Sequence, residues 1–416
     1  MRERIGGRGK ERVFARLFVG GIVSFVLLCY VSSSVIAREY HIYNVPEISS
    51  SFAGGYVALE DSNGNLYYHN SDYSSFEPSP FSFLAIYDTG ASGMILGNAH
   101  ATELGIPKTG ETYQDEGIGG TETFDVSEST RLRIAPSSLV NETNNSWMSD
   151  ISYYEYYGSY KFQISRRIDI DVMGTPLLGH HIMRVNLDDW RDMSLVSGVT
   201  VAKTDLLDAM PSSFEPGKTV LSVRIEMQDF VNDDTAPISH DLNPIIPDVR
   251  IIDDRNAPDA QSSAKDWLFD TGAQLTIIGR DYATEIGIDL DNETPVDSTE
   301  IGGVGGNITI YGYQVDELVL PVIGGDELIF HNPIVFVPEA GALPADLTGI
   351  FGMNLLSGVI VQDSQGNLFI DPNFDEWYFN PLDSNITFVI PLPNMFLLLF
   401  PCFLSLIAND IRRRLI

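Results

Sequence analysis

The chain has 416 residues, 44% of them hydrophobic, so it is long enough to bury a sizeable core and to form two domains of ordinary size. Its 57 acidic and 25 basic residues give a formal net charge of −32, which argues against nucleic acids and anionic membrane surfaces as partners. The two cysteines, Cys29 and Cys402, lie in terminal apolar segments, so no disulfide can link the two halves of the body.

The N-terminal residues have the pattern of a secretory signal peptide. Met1–Lys10 is rich in Arg and Gly, Leu17–Val31 is nearly continuously apolar, and residues 35–37 fit the small-residue rule for cleavage. An uncleaved signal anchor is the alternative, although the apolar run is shorter than the ~20 residues that a membrane-spanning helix needs. We therefore predict an exported protein with residues 1–37 as signal peptide and 38–51 as a linker.

From Phe52 the sequence predicts β-strands, beginning with Tyr56–Leu59 and a turn at residues 63–64. A later apolar run at residues 83–87 predicts a strand that ends at Asp88, and Gly90 permits a tight turn directly after it. Ala99–Leu104 and, in the later half, Asp281–Ile286 each predict a short helix that ends at a glycine.

Five tyrosines crowd the segment Ile151–Phe162. Such a stripe can stack on sugars or peptides, but strand residues that cover one face of a sheet are the more frequent explanation. Downstream, residues 229–259 are rich in Asp, Asn and Pro, which predicts a loop around one strand.

The segment that starts at Asp88 recurs at Asp270, 182 residues later. A repeat this long is typical of a duplicated lobe rather than of a solenoid, so we predict two related lobes, residues 52–200 and 201–385. The identical positions in the two copies are Asp88/Asp270, Thr89/Thr271, Gly90/Gly272, Ala91/Ala273, Ile95/Ile277, Gly97/Gly279, Ala101/Ala283, Thr102/Thr284, Glu103/Glu285, Gly105/Gly287 and Ile106/Ile288.

Each copy of the repeat is followed by a glycine-rich segment and then by an aliphatic segment with a glycine. In chain order these are Gly117-Ile118-Gly119-Gly120 and Leu177-Leu178-Gly179 after the first copy, and Ile301-Gly302-Gly303-Val304-Gly305-Gly306 and Ile350-Phe351-Gly352-Met353-Asn354-Leu355-Leu356 after the second.

This set of motifs resembles the aspartic peptidases, and the presence of two copies in one chain resembles the pepsin-like members. The glycine-rich segments resemble the flaps of retroviral proteases. The resemblance spans about residues 52–380 and implies a mainly all-β fold with a cleft between two barrel-like lobes. It implies that Asp88 and Asp270 are the catalytic pair.

The resemblance also implies roles for the neighbouring residues. Thr89 and Thr271 would form hydrogen bonds between the lobes beneath the pair, and Gly90 and Gly272 would leave room for main-chain donors. Residues 350–356 resemble the segment that packs under the catalytic loop in this family, and residues 177–179 are assigned as the corresponding landmark in the first lobe. The flap residues that would contact substrate are Gly117, Ile118, Gly119, Gly120, Ile301, Gly302 and Gly303. Neither a metal nor another cofactor is expected, and a polypeptide would be the substrate.

Two facing carboxylates cannot both ionise cheaply, so one pKa rises and the pair shares a proton; aspartic proteases are the standard example of this effect. Such a pair can take a proton from water and give one to the scissile carbonyl group. Because Ala91 and Ala273 stand where many pepsin-like enzymes carry a hydroxyl group, we expect the pair to titrate higher and activity to peak at about pH 4.5 to 6.5.

Two other functions remain open at this point. A two-lobed binding or extracellular-matrix protein could keep the cleft without using it, although intact Asp-Thr-Gly in both copies argues against this. A glycosidase also needs two carboxylates, but that function explains neither the paired loops nor the glycine-rich segments.

Residues 386–416 form a predicted C-terminal anchor or sorting segment. Ile390–Pro393 leads into the apolar run Met395–Ala408, which three arginines follow. This order resembles the PEP-CTERM signals that exosortases process, except that Leu392 replaces the name-giving Glu; a plain membrane anchor is the alternative. We expect a monomer that is exported to the periplasm, outer surface or medium and is attached to the membrane through this segment.

Overall fold

A computed structural model describes residues 37–391, apart from 44, 47–50, 70–79, 138–149, 168, 188–199, 232, 234, 254, 256–261, 340–342, 344–346 and 363–367. Within these residues the chain is almost entirely β-structure. The predicted signal peptide apart from Ala37, and residues 392–416 of the predicted sorting segment, lie outside the described residues.

The strands of the first half, with the segments that join it to the second, are β1 Glu39–Ile42, β2 Ser51–Glu60, β3 Ser82–Tyr87, β4 Ile95–Leu96, β5 Lys108–Gly117, β6 Gly120–Ser127, β7 Thr130–Ile134, β8 Glu155–Tyr160, β9 Gln163–Ile164, β10 Val172–Met173, β11 Ile182–Asn186, β12 Thr200–Leu207 and β13 Lys218–Arg224. The helices of this half are α1 Asn98–Glu103, α2 Thr175–Leu178 and a 3-10 turn at Ile151–Tyr153.

The strands of the second half are β14 Glu226–Gln228, β15 Asn243–Ile252, β16 Lys265–Phe269, β17 Ile277–Ile278, β18 Asp297–Gly303, β19 Gly306–Gln314, β20 Glu317–Pro321, β21 Glu327–His331, β22 Ile334–Pro338, β23 Gly349–Phe351, β24 Gly358–Gln362, β25 Leu368–Pro372, β26 Glu376–Asn380 and β27 Asn385–Pro391. Its helices are α3 Arg280–Glu285 and α4 Met353–Leu356.

The two halves repeat one another element by element. The series from β2 to α2 has the same order and the same pairings as the series from β15 to α4. In both, the strand that ends at the Asp is parallel to the strand before the last helix, β3 with β10 and β16 with β23. In both, that partner is antiparallel to the short strand after the loop, β4 or β17. The predicted all-β fold with two related lobes is confirmed.

Local sequence explains the short helices well. They begin after Gly97 and Gly279 and end before Gly105 and Gly287, whose φ angles of 67° and 91° lie in the left-handed region that glycine tolerates. The structure therefore confirms both helices predicted from the repeat, one residue earlier than the sequence placed them.

The two lobes are joined by a sheet that neither copy of the repeat predicts. Its strands run in the order β13, β27, β26, β11, β12 and β2, so C-terminal strands complete the sheet of the first lobe. Phe269, next to the second Asp, lies 6.0 Å from Trp377 and 5.9 Å from Phe379, measured between ring centroids. The core of the joining sheet therefore supports the strand that carries Asp270.

The predicted division into domains stays a prediction, and three of its boundaries fall inside strands. The boundary at 51/52 cuts β2, and strand β1, in the predicted linker, pairs with β21 of the second lobe. The boundary at 200/201 cuts β12, and the boundary at 385/386 cuts β27, which pairs with both β13 and β26. Pairings between strands so distant in sequence leave no local signal. No helix in the described part of the chain is long and apolar enough to cross a membrane.

The tyrosine stripe lies on the 3-10 turn and on β8. Tyr154 is buried, Tyr157 and Tyr160 are partly buried against the core, and Tyr153 and Tyr156 are exposed. Three of the five therefore cover a sheet face, as the more frequent explanation expects.

Candidate active site

The two Asp-Thr-Gly loops meet at the junction of the lobes. Strand β3 delivers Asp88 and strand β16 delivers Asp270, and each Asp is fixed by its main chain. The amide of Asp88 donates to Met173 O at 3.1 Å, and the amide of Asp270 donates to Phe351 O at the same distance. The repeat in sequence has therefore become a pseudo-twofold arrangement around the two carboxyl groups.

Thr89 and Thr271 hold the loops together in a crossed pattern. The amide of Thr89 donates to Thr271 Oγ1 and the amide of Thr271 donates to Thr89 Oγ1, both at 3.1 Å. Each hydroxyl then donates to a carbonyl oxygen of the opposite strand, Phe269 O or Tyr87 O, at 2.6 Å. Both threonines are fully buried. This is the cross-lobe arrangement that the resemblance implied.

The glycines let the carboxylates face each other. A Cβ atom at Gly90 would lie 2.5 Å from Asp270 Oδ2, and one at Gly272 would lie 2.7 Å from Asp88 Oδ1. Any side chain at either position would therefore displace the opposite carboxylate. The carboxyl groups therefore lie against each other, and two neighbouring carboxylates cannot both ionise cheaply, so the pair holds one proton.

Main-chain amides orient one oxygen of each carboxyl group. Asp88 Oδ1 accepts from Gly90 N at 2.8 Å and from Ala91 N at 3.1 Å. Asp270 Oδ1 accepts from Gly272 N at 2.8 Å and from Ala273 N at 2.9 Å. The orientations of both side chains are thus set by backbone groups of their own loops.

Burial and mutual repulsion shift the titration of the pair. Loss of hydration raises the pKa of Asp88, although the amide hydrogen bonds oppose this. The same loss of hydration raises the pKa of Asp270 further, because the neighbouring Asp88 charge adds to it. Protein surrounds both side chains on most sides, yet each residue keeps a partly exposed surface that water or substrate can reach.

The aliphatic segments next to the loops match the expectation in the second lobe only. Gly352 packs against the main chain of Leu275, and Met353 N donates to Ala273 O at 2.8 Å, as predicted for residues 350–356. In the first lobe the equivalent glycine is Gly174, and Thr175 N donates to Ala91 O at 2.9 Å.

The assignment of Leu177-Leu178-Gly179 as the first-lobe landmark is therefore wrong. Leu177 and Leu178 are buried residues of helix α2, and Gly179 ends that helix. Met173 occupies the strand position directly before Gly174. Because a Met at this position is less typical of the motif than an Ile or Leu, the next aliphatic pair, Leu177-Leu178, matched the motif better in the sequence.

Asn243 is a site residue that the sequence did not reveal. Its Nδ2 donates to Thr89 O at 3.1 Å and to Gly90 O at 2.9 Å, and its Oδ1 accepts from Ser92 Oγ at 2.6 Å. Asn243 begins β15 and is fully buried, so a second-lobe strand holds the first-lobe loop. The one signal in the sequence for this contact is an Asn within a segment predicted as loop.

Both predicted flaps are β-hairpins. Strands β5 and β6 turn at Ile118 and Gly119, and strands β18 and β19 turn at Val304 and Gly305. The hairpin tips touch, because Gly119 N donates to Val304 O at 3.0 Å. Of the predicted flap residues, Gly117, Ile118 and Gly119 meet the opposite tip directly, and Gly303 lies against Ile118. Gly120 contacts the second tip, whereas Ile301 and Gly302 lie along strand β18.

Comparison with known proteins bears on the second loop most directly. A family model described as "Aspartyl protease" matches residues 261–355, which include Asp270 but not Asp88. No curated protein matches the chain.

Solved structures that resemble the chain include a retropepsin-like aspartic protease from Rickettsia conorii, with 16% identity and a TM-score of 0.20, covering 38% of this chain and all of that one. Basic 7S globulin from soybean has 8% identity and a TM-score of 0.39, and the match covers 81% of this chain and 95% of that one. The strand correspondence between the lobes and the family match, rather than these overall similarities, carry the assignment. The chain has the two-lobed all-β fold of an aspartic peptidase, and residues 261–355 of its second lobe match the aspartyl protease family model.

Proposed function

We propose that this protein is an exported aspartic endopeptidase with one active site, formed by Asp88 and Asp270 of the same chain. The observation that carries the proposal is the crossed threonine pair beneath two facing carboxyl groups, each fitted against the glycine of the opposite loop. A pair placed and buried in this way holds one proton, which is the state that acid–base hydrolysis requires.

The shared proton gives the two carboxyl groups complementary roles. Burial raises the pKa of both, so one carboxyl group carries the proton and the other is ionised. A water molecule between them gives a proton to the ionised carboxylate and attacks the scissile carbonyl carbon, while the protonated carboxyl group donates its proton to the carbonyl oxygen. The product of this step is a neutral tetrahedral diol, and a proton returned to the amide nitrogen allows the C–N bond to break.

The touching flaps define where a polypeptide would bind. Because the hairpins come from different lobes and meet at their tips, an extended peptide would lie between them and the carboxyl pair. Strand edges beside such a peptide supply main-chain hydrogen bonds without sequence preference. The flap tips must separate for the peptide to enter.

Export and attachment are proposals that rest on the terminal sequences. Residues 1–37 have the pattern of a signal peptide, and residues 395–414 combine an apolar run with three arginines. An exosortase-type enzyme would be the processing partner for a segment of the PEP-CTERM kind.

The test is cleavage of a mixed peptide library by the purified protein, followed by mass spectrometry, from pH 3 to pH 8. We expect internal cleavage that the aspartic-peptidase inhibitor pepstatin suppresses. Absence of cleavage at every pH would favour a two-lobed binding protein whose cleft holds a ligand without reacting.

A further inference from the structure

Two acidic side chains lie directly opposite each other in the first flap. The register of β5 and β6 pairs Asp115 with Glu122, two residues before and after the turn glycines. Like charges at directly paired positions destabilise an antiparallel ladder. Nothing in the fold of a hairpin calls for this pair, so its presence requires another explanation.

The pair faces inward, toward the cleft. Side chains two residues apart share a face of a strand, so Glu122 lies on the same face as Phe124. Phe124 is fully buried in an apolar cluster against which Ala91, just after the first Asp-Thr-Gly, and Val304 of the opposite flap tip both pack. Asp115 and Glu122 therefore lie on the side of the flap that faces the active site.

The inward polar groups keep unused acceptors. Glu122 Oε1 accepts from Ser165 Oγ at 2.8 Å and from Arg166 N at 3.1 Å, but Glu122 Oε2 is buried without a hydrogen-bond partner. Gln163 lies close enough to Asp115 to stabilise its charged form, and its Oε1 is likewise buried without a hydrogen-bond partner. Glu122 is 3% exposed and Gln163 is 1% exposed. A buried acceptor in this state costs free energy that a donor, such as a bound cation, would recover.

The basic side chains of this region form ion pairs with a different carboxylate. Lys108 and Arg166 both pair with Asp125, which lies on the outer face of the same hairpin. In the described part of the chain, no Lys, Arg or His forms an ion pair with Asp115 or Glu122. Arg166 interacts with Glu122 only at longer range, through its charge, so the inner acidic pair has no basic side chain in direct contact among the described residues.

The second flap has aliphatic residues at the positions that correspond to the acidic pair. When the turn glycines are matched, Asp115 corresponds to Ile301 and Glu122 to Ile308, and these isoleucines are also paired across the ladder. Both pack on the apolar cluster of the second lobe. The two walls of a pseudo-symmetric cleft thus differ, one being acidic and the other aliphatic.

We propose that Asp115, Glu122 and Gln163 form a subsite, the acidic subsite, that receives a lysine or arginine side chain of a polypeptide substrate, while the Ile301–Ile308 wall receives an aliphatic side chain across the scissile bond. The inference rests on the proposed peptidase function. An ammonium or guanidinium group offers several donors and a positive charge, which match the free oxygens of Glu122 and Gln163 and the Asp115 carboxylate. The acidic subsite thus selects basic residues.

The subsite also predicts how selectivity changes with pH. Burial raises the pKa of Asp115, so its ionised form is favoured only when a cation is bound or when the pH rises. The neighbouring titratable groups on the packed elements are Tyr113, Glu116 and Glu122 on the hairpin and Asp229 and Asp233 on the loop beside it. All are acidic or neutral, so preference for a basic residue should increase from pH 4 toward pH 6.5.

The experiment uses the full chain and a peptide library that is randomised on both sides of a central bond. We expect kcat/KM to favour Lys over norleucine by about tenfold or more at one position. The double substitution Asp115→Asn with Glu122→Gln, which keeps side-chain shape, should reduce that ratio by about tenfold. Replacing the pair by the Ile residues of the second flap should invert it. Glu111→Gln, an exposed change on the same strand, should leave it unaltered.

The outcomes separate the two proposals. If the unmodified protein cleaves no peptide, the peptidase function fails. If it cleaves peptides without preferring a basic residue, or if Asp115→Asn with Glu122→Gln leaves the preference unchanged, the acidic subsite is overturned while the peptidase function stands.

Discussion

At the scale of single residues, the proposed hydrolysis depends on two carboxyl groups, one protonated and one ionised. Asp88→Asn and Asp270→Asn should each lower kcat by at least about 10³-fold, because each removes one half of the acid–base pair. The measurement is steady-state cleavage of a peptide selected from the library. Most activity remaining in either variant would contradict the assigned pair.

The same substitution makes a prediction about stability. The raised pKa of Asp270 means that its favourable contribution to folding is present below the unfolded pKa of about 3.9 and is lost as the pH rises through the folded value. Asp270→Asn should therefore leave the unfolding temperature at pH 7 equal or higher. Calorimetry distinguishes this from a general loss of fold, which would lower it.

The two alanines after the Asp-Thr-Gly motifs set a testable pH range. Activity requires one proton on the pair, so it falls when the pH rises above the raised pKa of Asp270 and when Asp88 also becomes protonated. We expect an optimum at about pH 4.5 to 6.5. Ala91→Ser with Ala273→Ser adds hydroxyl donors to the ionised form, which lowers the pKa and should move the optimum down. An optimum near pH 2 in the unmodified protein, or an unmoved optimum in the double variant, would show that another group controls the proton.

The crossed threonines make a prediction with a close control. Thr271→Val removes the acceptor for Thr89 N and the donor to Tyr87 O, and it leaves both partners buried and unpaired. We expect a loss of about 1–3 kcal/mol in the free energy of unfolding, together with a lower kcat. Thr271→Ser keeps the hydroxyl group and should behave almost like the parent in urea unfolding. A larger loss in Thr271→Ser than in Thr271→Val would mean that packing of the methyl group, and not the hydrogen bonds, holds the loops.

At the scale of elements, the two flap tips are fitted to each other by glycines. Gly305 has a φ of 93°, and a Cβ atom there would collide with the main chain of Gly120. Gly305→Ala should therefore hold the tips apart and raise KM by about tenfold or more, because the peptide is less well positioned. Gly324→Ala is the control, since its φ of 106° carries the same strain but its surroundings are open. Similar kinetic effects in both variants would show that backbone strain alone is responsible.

The elements also show where the sequence was informative. The repeat predicted the paired strands, loops and short helices, because these depend on neighbours within a few residues. It could not predict that β26 and β27 complete the first-lobe sheet, or that Asn243 grips the first loop, because both contacts join segments more than 100 residues apart. The wrong assignment of Leu177-Leu178-Gly179 has the same origin. Gly174 is recognised as the glycine next to the first loop only from the pairing of Met173 with Tyr87 across the sheet.

At the scale of the whole molecule, the fold brings two lobes of one chain into a single site. The joining sheet, the crossed threonines and Asn243 all bind one lobe to the other, so the carboxyl pair belongs to one chain and not to two copies. The charge of −32 acts over the whole surface, and it favours bound protons and basic substrates at low ionic strength. Salt at about 0.1 M confines that effect to about 10 Å.

We therefore propose that Asp88 and Asp270 of the same chain act together. Equal amounts of the inactive Asp88→Asn and Asp270→Asn proteins are mixed, refolded together from urea, and assayed with the best library peptide beside the unmodified protein treated in the same way. The account predicts full recovery of the unmodified protein and no activity in the mixture, because every chain in it lacks one carboxylate of its own pair. Recovery of about a quarter or more of the activity in the mixture would show that the carboxylates come from different chains, and it would contradict the single-chain site.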